Sequence, residues 1–285
     1  MVRSSHRWLD TRRGGGEDER RPRPRPGGRV TARRYAPAYR LAAAIAKPPL
    51  LAFTRRDWQG AEHLRRDGGF VVASNHLSYA DPLTLAHFLY DNGIPPRFLG
   101  KEAVFRIPVL GRIVTAAQQI PVYRESADAG RALSAAVAAV EEGDCVVVYP
   151  EATLTRDPDL WPMVGKTGAA RIALTTGCPV VPVAQWGPQE IMWPYARRPR
   201  LLPRTTVHVL AGPPVDLSAY AGLPVDAVTL KAATDTILDA VALLLGRLRG
   251  EQPPERRWDP REHDQPRIGD PTRDGRDATD GREAG

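Results

Sequence analysis

Apolar and polar positions alternate between two periods along most of this chain. Short β-branched runs occur at "FVVAS" (70–74), "QIPVY" (119–123), "CVVVYPE" (145–151), "PVVPVAQW" (179–186) and "TVHVLAG" (206–212). Several are apolar throughout, the pattern of a strand covered on both sheet faces. Between them the period lengthens. Residues 126–142 place Leu133, Ala136, Val137 and Val140 on one face, with Ser126 as the N-cap and Gly143 as the stop. Residues 166–176 predict a shorter helix ended by Gly177. A long one over roughly 229–248 carries Leu230, Ile237, Val241, Leu244 and Leu248 along a stripe. This alternation predicts one α/β domain over 59–250, with a mostly parallel central sheet flanked by helices. No internal repeat is present.

The ends break the pattern. Residues 1–34 hold 11 arginines and 4 acids, whereas 251–285 hold 7 arginines and 10 acids. The stretch between is nearly balanced at +3, so the pI of 9.7 belongs mostly to the basic arm. Rich in Pro, Gly and charge, 1–34 and 251–285 cannot bury enough surface to offset chain entropy and are expected to be disordered. Attraction of the arm to an anionic membrane is the sharper reading; no aromatic and basic interleaving points to nucleic acid. Residues 35–58 set apolar blocks between Tyr35, Arg40, Lys47, Arg55, Arg56 and Trp58. That suits either a helix lying in a membrane interface or an amphipathic helix packed on the domain. With no signal-peptide pattern, no 18-residue apolar run, and Cys145 and Cys178 in apolar segments as reduced thiols, the expected location is the cytoplasmic face of the membrane, peripheral.

In α/β sheets chemistry gathers where strands end and helices begin. "SNHLSYADPL" (74–83) follows the first core strand, and "YPEATLTRD" (149–157) follows the central one. Asp81 before Pro82 is the expected N-cap pair. That explains the aspartate but not Asn75 or His76. A carboxylate five residues on can also hold one imidazole nitrogen, leaving the other as a base. The seven serines form no Gly-x-Ser-x-Gly elbow, and Ser78 reads as a loop or capping hydroxyl. A metal-dependent hydrolase built on His76, Asp81 and His87 lacks a well-spaced third ligand. The other histidines, His208 among them, show no partner pattern.

Asn75-His76-x-x-x-x-Asp81 resembles the His-x4-Asp motif of the glycerolipid acyltransferases, the lysophosphatidate acyltransferase type. Further blocks follow in the same order: "KEAVFRIPVLG" (101–111), "QQIPVYR" (118–124), "YPEATLT" (149–155) and "CPVVPVA" (178–184). The resemblance spans roughly 58–215. It implies acyl transfer from acyl-CoA or acyl-carrier protein to the hydroxyl of lysophosphatidate, without cofactor or metal. His76 would be the general base, oriented by Asp81. Asn75, Lys101, Arg124, Glu151 and Thr153 would form the acceptor site, with oxyanion donors from Asn75 or N–H groups near the helix start. The chain departs from the family at Gln118 and Ala152, where glycine is usual, and at Leu154, where arginine is usual. Arg156 or Lys166 stands in position to replace that arginine. The acceptor could therefore be another lysophospholipid or a glycolipid. Trp161, Met163, Trp186, Met192 and Trp193 fit either packing or a membrane-facing rim.

Overall fold

A computed structural model describes residues 37–108, 110–122, 126–196 and 198–265; the basic arm and Arg124 lie outside them. Seven strands, β1 (Thr54–Gln59), β2 (Phe70–Ser74), β3 (Pro96–Lys101), β4 (Ile120–Val122), β5 (Cys145–Val148), β6 (Val180–Trp186) and β7 (Thr205–Ala211), form one sheet in the order β1-β7-β6-β2-β5-β3-β4. All neighbouring pairs are parallel except β6–β7. The helices are α1 (Pro37–Phe53), α2 (Asp81–Asp91), α3 (Glu102–Phe105), α4 (Leu110–Ala116), α5 (Ser126–Glu141), α6 (Gly168–Thr176), α7 (Pro188–Ile191) and α8 (Ala227–Arg249).

The continuous apolar strands are continuous because each face has its own cover. Val71, Ala73, Val146 and Val148 pack with Ala136 of α5, Ile172 of α6 and Ile237 of α8. Phe70, Val72, Cys145 and Val147 point the other way, onto Leu85, Phe88 and Leu89 of α2. Helix ends follow local chemistry. The Asp226 side chain accepts the Thr229 N–H at the start of α8, and Gly177 and Gly250 close α6 and α8 in the left-handed region.

Two strands escaped the hydrophobic pattern. β1 is an edge strand, TRRDWQ, half of it solvent-facing, and residues 54–58 had been grouped with the amphipathic segment. β3 offers only Phe98 and Leu99 as apolar residues behind two prolines. α1 keeps Leu41, Ile45 and Leu51 exposed and buries no residue fully. Its Lys47 pairs with Asp91 of α2 at 2.5 Å. Among the described residues no helix is long and apolar enough to cross a membrane. Residues 251–265, assigned by composition to the tail, carry a 3-10 turn at Pro260–His263, and Val164 N–H donates to Trp258 O at 3.0 Å.

β1 leaves the sheet through Gly60, whose φ is 76° and whose added Cβ would stand 1.9 Å from Ala211 O. Gly60→Ala is expected to lower stability by about 2–4 kcal/mol, from left-handed strain plus a backbone clash, read from the urea midpoint.

Candidate active site

Parallel strands deliver their C-terminal ends to one edge. There β2 releases Asn75 and His76, and its neighbours β5 and β6 release Tyr149 and Gln185. Asn75 is fully buried and extends the pairing with β6: its Nδ2 donates to Gln185 O (3.0 Å) and its Oδ1 accepts Gln185 N–H (2.8 Å).

The capping expectation for Asp81 is overturned. It is the first residue of α2, which has no side-chain cap. Its carboxylate turns back instead, and one oxygen, Oδ2, accepts Leu77 N–H (2.6 Å), Ser78 N–H (2.7 Å) and the His76 ring (2.9 Å). A carboxylate only accepts, so Nδ1 of His76 carries the hydrogen and Nε2 keeps its lone pair. Burial holds the Asp81 carboxyl above its usual range, partly offset by its bonds to His76 and the turn. The His76 ring stacks on Tyr149, centroids 4.2 Å apart and 19° from parallel, with its side chain 16% exposed.

The loop after β5 grips His76 by both backbone ends. Glu151 Oε1 accepts His76 N–H (3.0 Å), and Thr155 N–H donates to His76 O (2.8 Å). The other Glu151 oxygen accepts Met163 N–H (3.0 Å). Glu151 thus acts on the site through the backbone it holds. Ser78 is the loop hydroxyl expected of it, donating to Met192 O (2.7 Å) and accepting Ala80 N–H.

Expected oxyanion donors are already engaged. Besides Leu77 and Ser78, the N–H groups of Asp81, Leu83 and Thr84 bond within the turn, and the Asn75 amide serves β6. Lys101 ends β3, exposed, in register with Val122, two residues before Arg124. Thr153 is buried, 3.5 Å from Tyr195 Oη. Tyr195 O–H donates to Leu154 O (3.0 Å) and accepts from Arg156 Nε (3.4 Å). Of the two substitutes for the missing arginine, Arg156 is nearly buried and Lys166 is exposed. His87 meets Trp58 edge-on and lies 3.5 Å from Asp91, and no group of three potential metal ligands occurs among the described residues.

The sequence reading missed Gln185, a buried amide that accepts the Thr84 hydroxyl (2.7 Å) and reaches Ser74 Oγ (3.5 Å). A glutamine inside an otherwise apolar strand was the available signal. It also passed over Tyr149 and Tyr195. At both positions where glycine is usual the backbone is left-handed, with φ 57° at Gln118 and 58° at Ala152.

Residues 55–186 match the family model described as Acyltransferase. The chain is 33% identical over 154 residues to the chloroplastic 1-acyl-sn-glycerol-3-phosphate acyltransferase BAT2 of Brassica napus, covering 53% of this chain and 43% of the relative. It is 26% identical over 163 residues to the 1-acyl-sn-glycerol-3-phosphate acyltransferase of Bacillus subtilis (strain 168), covering 57% and 75%. The chain thus spans about two-fifths of the plant relative's length. The crystal structure of the 1-acyl-sn-glycerophosphate acyltransferase PlsC from Thermotoga maritima superposes with TM-score 0.58 at 22% identity, covering 78% of this chain and 81% of that one. At that identity the likeness concerns the fold.

Two outcomes follow from these environments. Ala152→Gly relieves left-handed strain at an exposed turn and is expected to raise unfolding stability by about 1 kcal/mol in chemical denaturation. Burial pushes the Glu151 carboxyl from 4.5 up to about 8, partly offset by the N–H groups of Met163 and His76. The folded chain then holds this proton more tightly than the unfolded one. The contribution is fully present below 4.5 and declines as pH rises from there to about 8. Glu151→Gln, which cannot titrate, is expected to flatten the slope of the denaturation midpoint across that window.

Proposed function

Taking residues 55–186 as a domain of the Acyltransferase family, we propose that the protein transfers a fatty acyl group from an acyl-CoA or acyl-carrier-protein thioester to the free hydroxyl of lysophosphatidate, giving phosphatidate. The observation that carries this reading is the 2.9 Å bond from His76 Nδ1 to buried Asp81, which supports Nε2 as the base. The relatives' names and the motif order support the substrate class.

In the proposed reaction His76 Nε2 takes the acceptor hydroxyl proton and Asp81 stabilises the resulting imidazolium. The alkoxide attacks the thioester carbonyl. The tetrahedral oxyanion collapses, breaking the carbon–sulfur bond, and the thiolate takes the proton from His76. A thioester is reactive enough for direct attack, so no acyl-enzyme and no cofactor is needed. Glu151 and Asn75 are positioning residues: they hold the His76 backbone and the start of the turn. We assign Lys101, at the end of β3, and Arg124 to the acceptor phosphate, and Thr153 to the acceptor site. The exposed Leu41, Ile45 and Leu51 of α1 favour a peripheral position on a membrane surface, which we take to be the cytoplasmic face.

A second reading keeps the chemistry and changes the acceptor to another lysophospholipid or a glycolipid. Leu154, 2% exposed where the family has arginine, favours it. A panel of lyso-acceptors with labelled acyl-CoA separates the two by the preferred acceptor. In the same assay His76→Ala is expected to lose on the order of 10³-fold in turnover and Asp81→Asn at least ~10²-fold, with unchanged circular dichroism. Near-normal turnover in a folded His76→Ala protein defeats the mechanism.

A further inference from the structure

The proposed chemistry leaves one built groove unused. A cavity of about 320 Å³ opens where β6 ends and β7 begins, lined in part by Trp186, Glu190, Arg200, Arg204, Thr206 and His208. β6 and β7 are antiparallel, with Trp186 opposite His208, so this opening lies at the sheet edge that also receives His76 from β2. Arg204 is held in place: its Nη2 donates to Leu51 O and Thr54 O, both at 2.8 Å, at the end of α1. His208 is held too, with Nδ1 2.7 Å from Asp57 Oδ2. Two arginines and an imidazole thus face a single lining carboxylate, that of Glu190.

The rim is apolar. Leu201 and Leu202, between lining residues Arg200 and Pro203, are 39% and 69% exposed, and Leu51 is 40% exposed. Trp193, 55% exposed, follows Met192, whose carbonyl receives the Ser78 hydroxyl. Scattered exposed leucines are ordinary, but leucines beside a cationic cavity at the end of an amphipathic helix are complementary to one kind of surface. A soluble anion uses the arginines alone. A bilayer phospholipid uses both, phosphate against the arginines and chains against the leucines.

We propose that this groove is a second lipid site, separate from the acceptor site, which binds the phosphate of an anionic bilayer phospholipid while Leu201 and Leu202 enter the acyl region. It deepens the acyltransferase reading and rests on it in one respect: a membrane-borne acceptor requires the His76 edge to face the leaflet.

The test is co-sedimentation of the full chain with vesicles of phosphatidylcholine alone or mixed with phosphatidylglycerol. Arg204 is left intact because it fastens α1. Binding is expected to favour the phosphatidylglycerol vesicles. Arg200→Gln is expected to weaken it about fivefold, and Leu202→Ser several-fold. Inorganic phosphate at matched ionic strength is expected to leave binding unchanged. Undiminished binding of both variants to phosphatidylglycerol vesicles overturns the site. Displacement by inorganic phosphate overturns it as well, since the groove then serves a free anion. Wild-type transfer to a short-chain, soluble lysophosphatidate without vesicles reports on the reaction separately. Its absence removes the acyltransferase reading, while the vesicle result still decides the groove.

Discussion

Everything around His76 depends on one buried carboxylate oxygen. Asp81 Oδ2 accepts three N–H groups from residues 76–78, while Oδ1 has no hydrogen-bond partner among the described residues. Withdrawing a carboxylate from water costs several kcal/mol, and that cost is tolerable only where donors converge on it. Here they converge on the side that faces the imidazole. The same geometry closes the turn and orients the ring, so the turn cannot relax without releasing the histidine. This is why Asp81 gives up the helix-capping role that its place before Pro82 suggests.

The turn is in turn anchored by its neighbours in the sheet. β5, β2 and β6 lie side by side and end together, so the segments leaving them can exchange hydrogen bonds at right angles to the strands. Glu151 and Thr155 reach His76 from β5's side, and the Asn75–Gln185 pair ties β2 to β6. Gln185 adds Thr84 of α2 to the same network. Buried polar networks of this kind are costly when half satisfied and rigid when complete. In the proposed reaction, a base that meets a lipid hydroxyl in a fixed orientation would benefit from such rigidity.

The parts of this arrangement visible in the sequence are those with a strong local signal. β2, β5 and β6 announced themselves because both faces are buried, and α8 because its stripe is long. β1 and β3 did not, since an edge strand facing water and a strand opened by prolines lack that pattern; their places come from pairing with β7 and β5. The His76–Asp81 pair was visible through spacing and motif order. The Gln185 contacts span about a hundred residues, and no local period encodes such a distance. Gln118 and Ala152 make the complementary point. Both stand where glycine is usual, and both hold φ near 57°. The surrounding bonds, such as Arg97 Nη2 to Gln118 Oε1 at 3.2 Å, outweigh a local cost of about 1–2 kcal/mol.

Leu154 shows where this chain has moved charge rather than shape. Its side chain is buried, and its carbonyl receives the Tyr195 hydroxyl. Tyr195 also accepts from Arg156, so the one arginine of this loop is held inward, at 7% exposure. A guanidinium so placed braces the loop that carries Glu151 and Thr155 and has little surface to offer an incoming phosphate. Under the proposed reaction, charge for the acceptor then comes from cations other than Arg156, such as exposed Lys166 and Lys101 at the end of β3. In that reading the loop that positions the base contributes shape to the acceptor site, and the phosphate charge is met elsewhere.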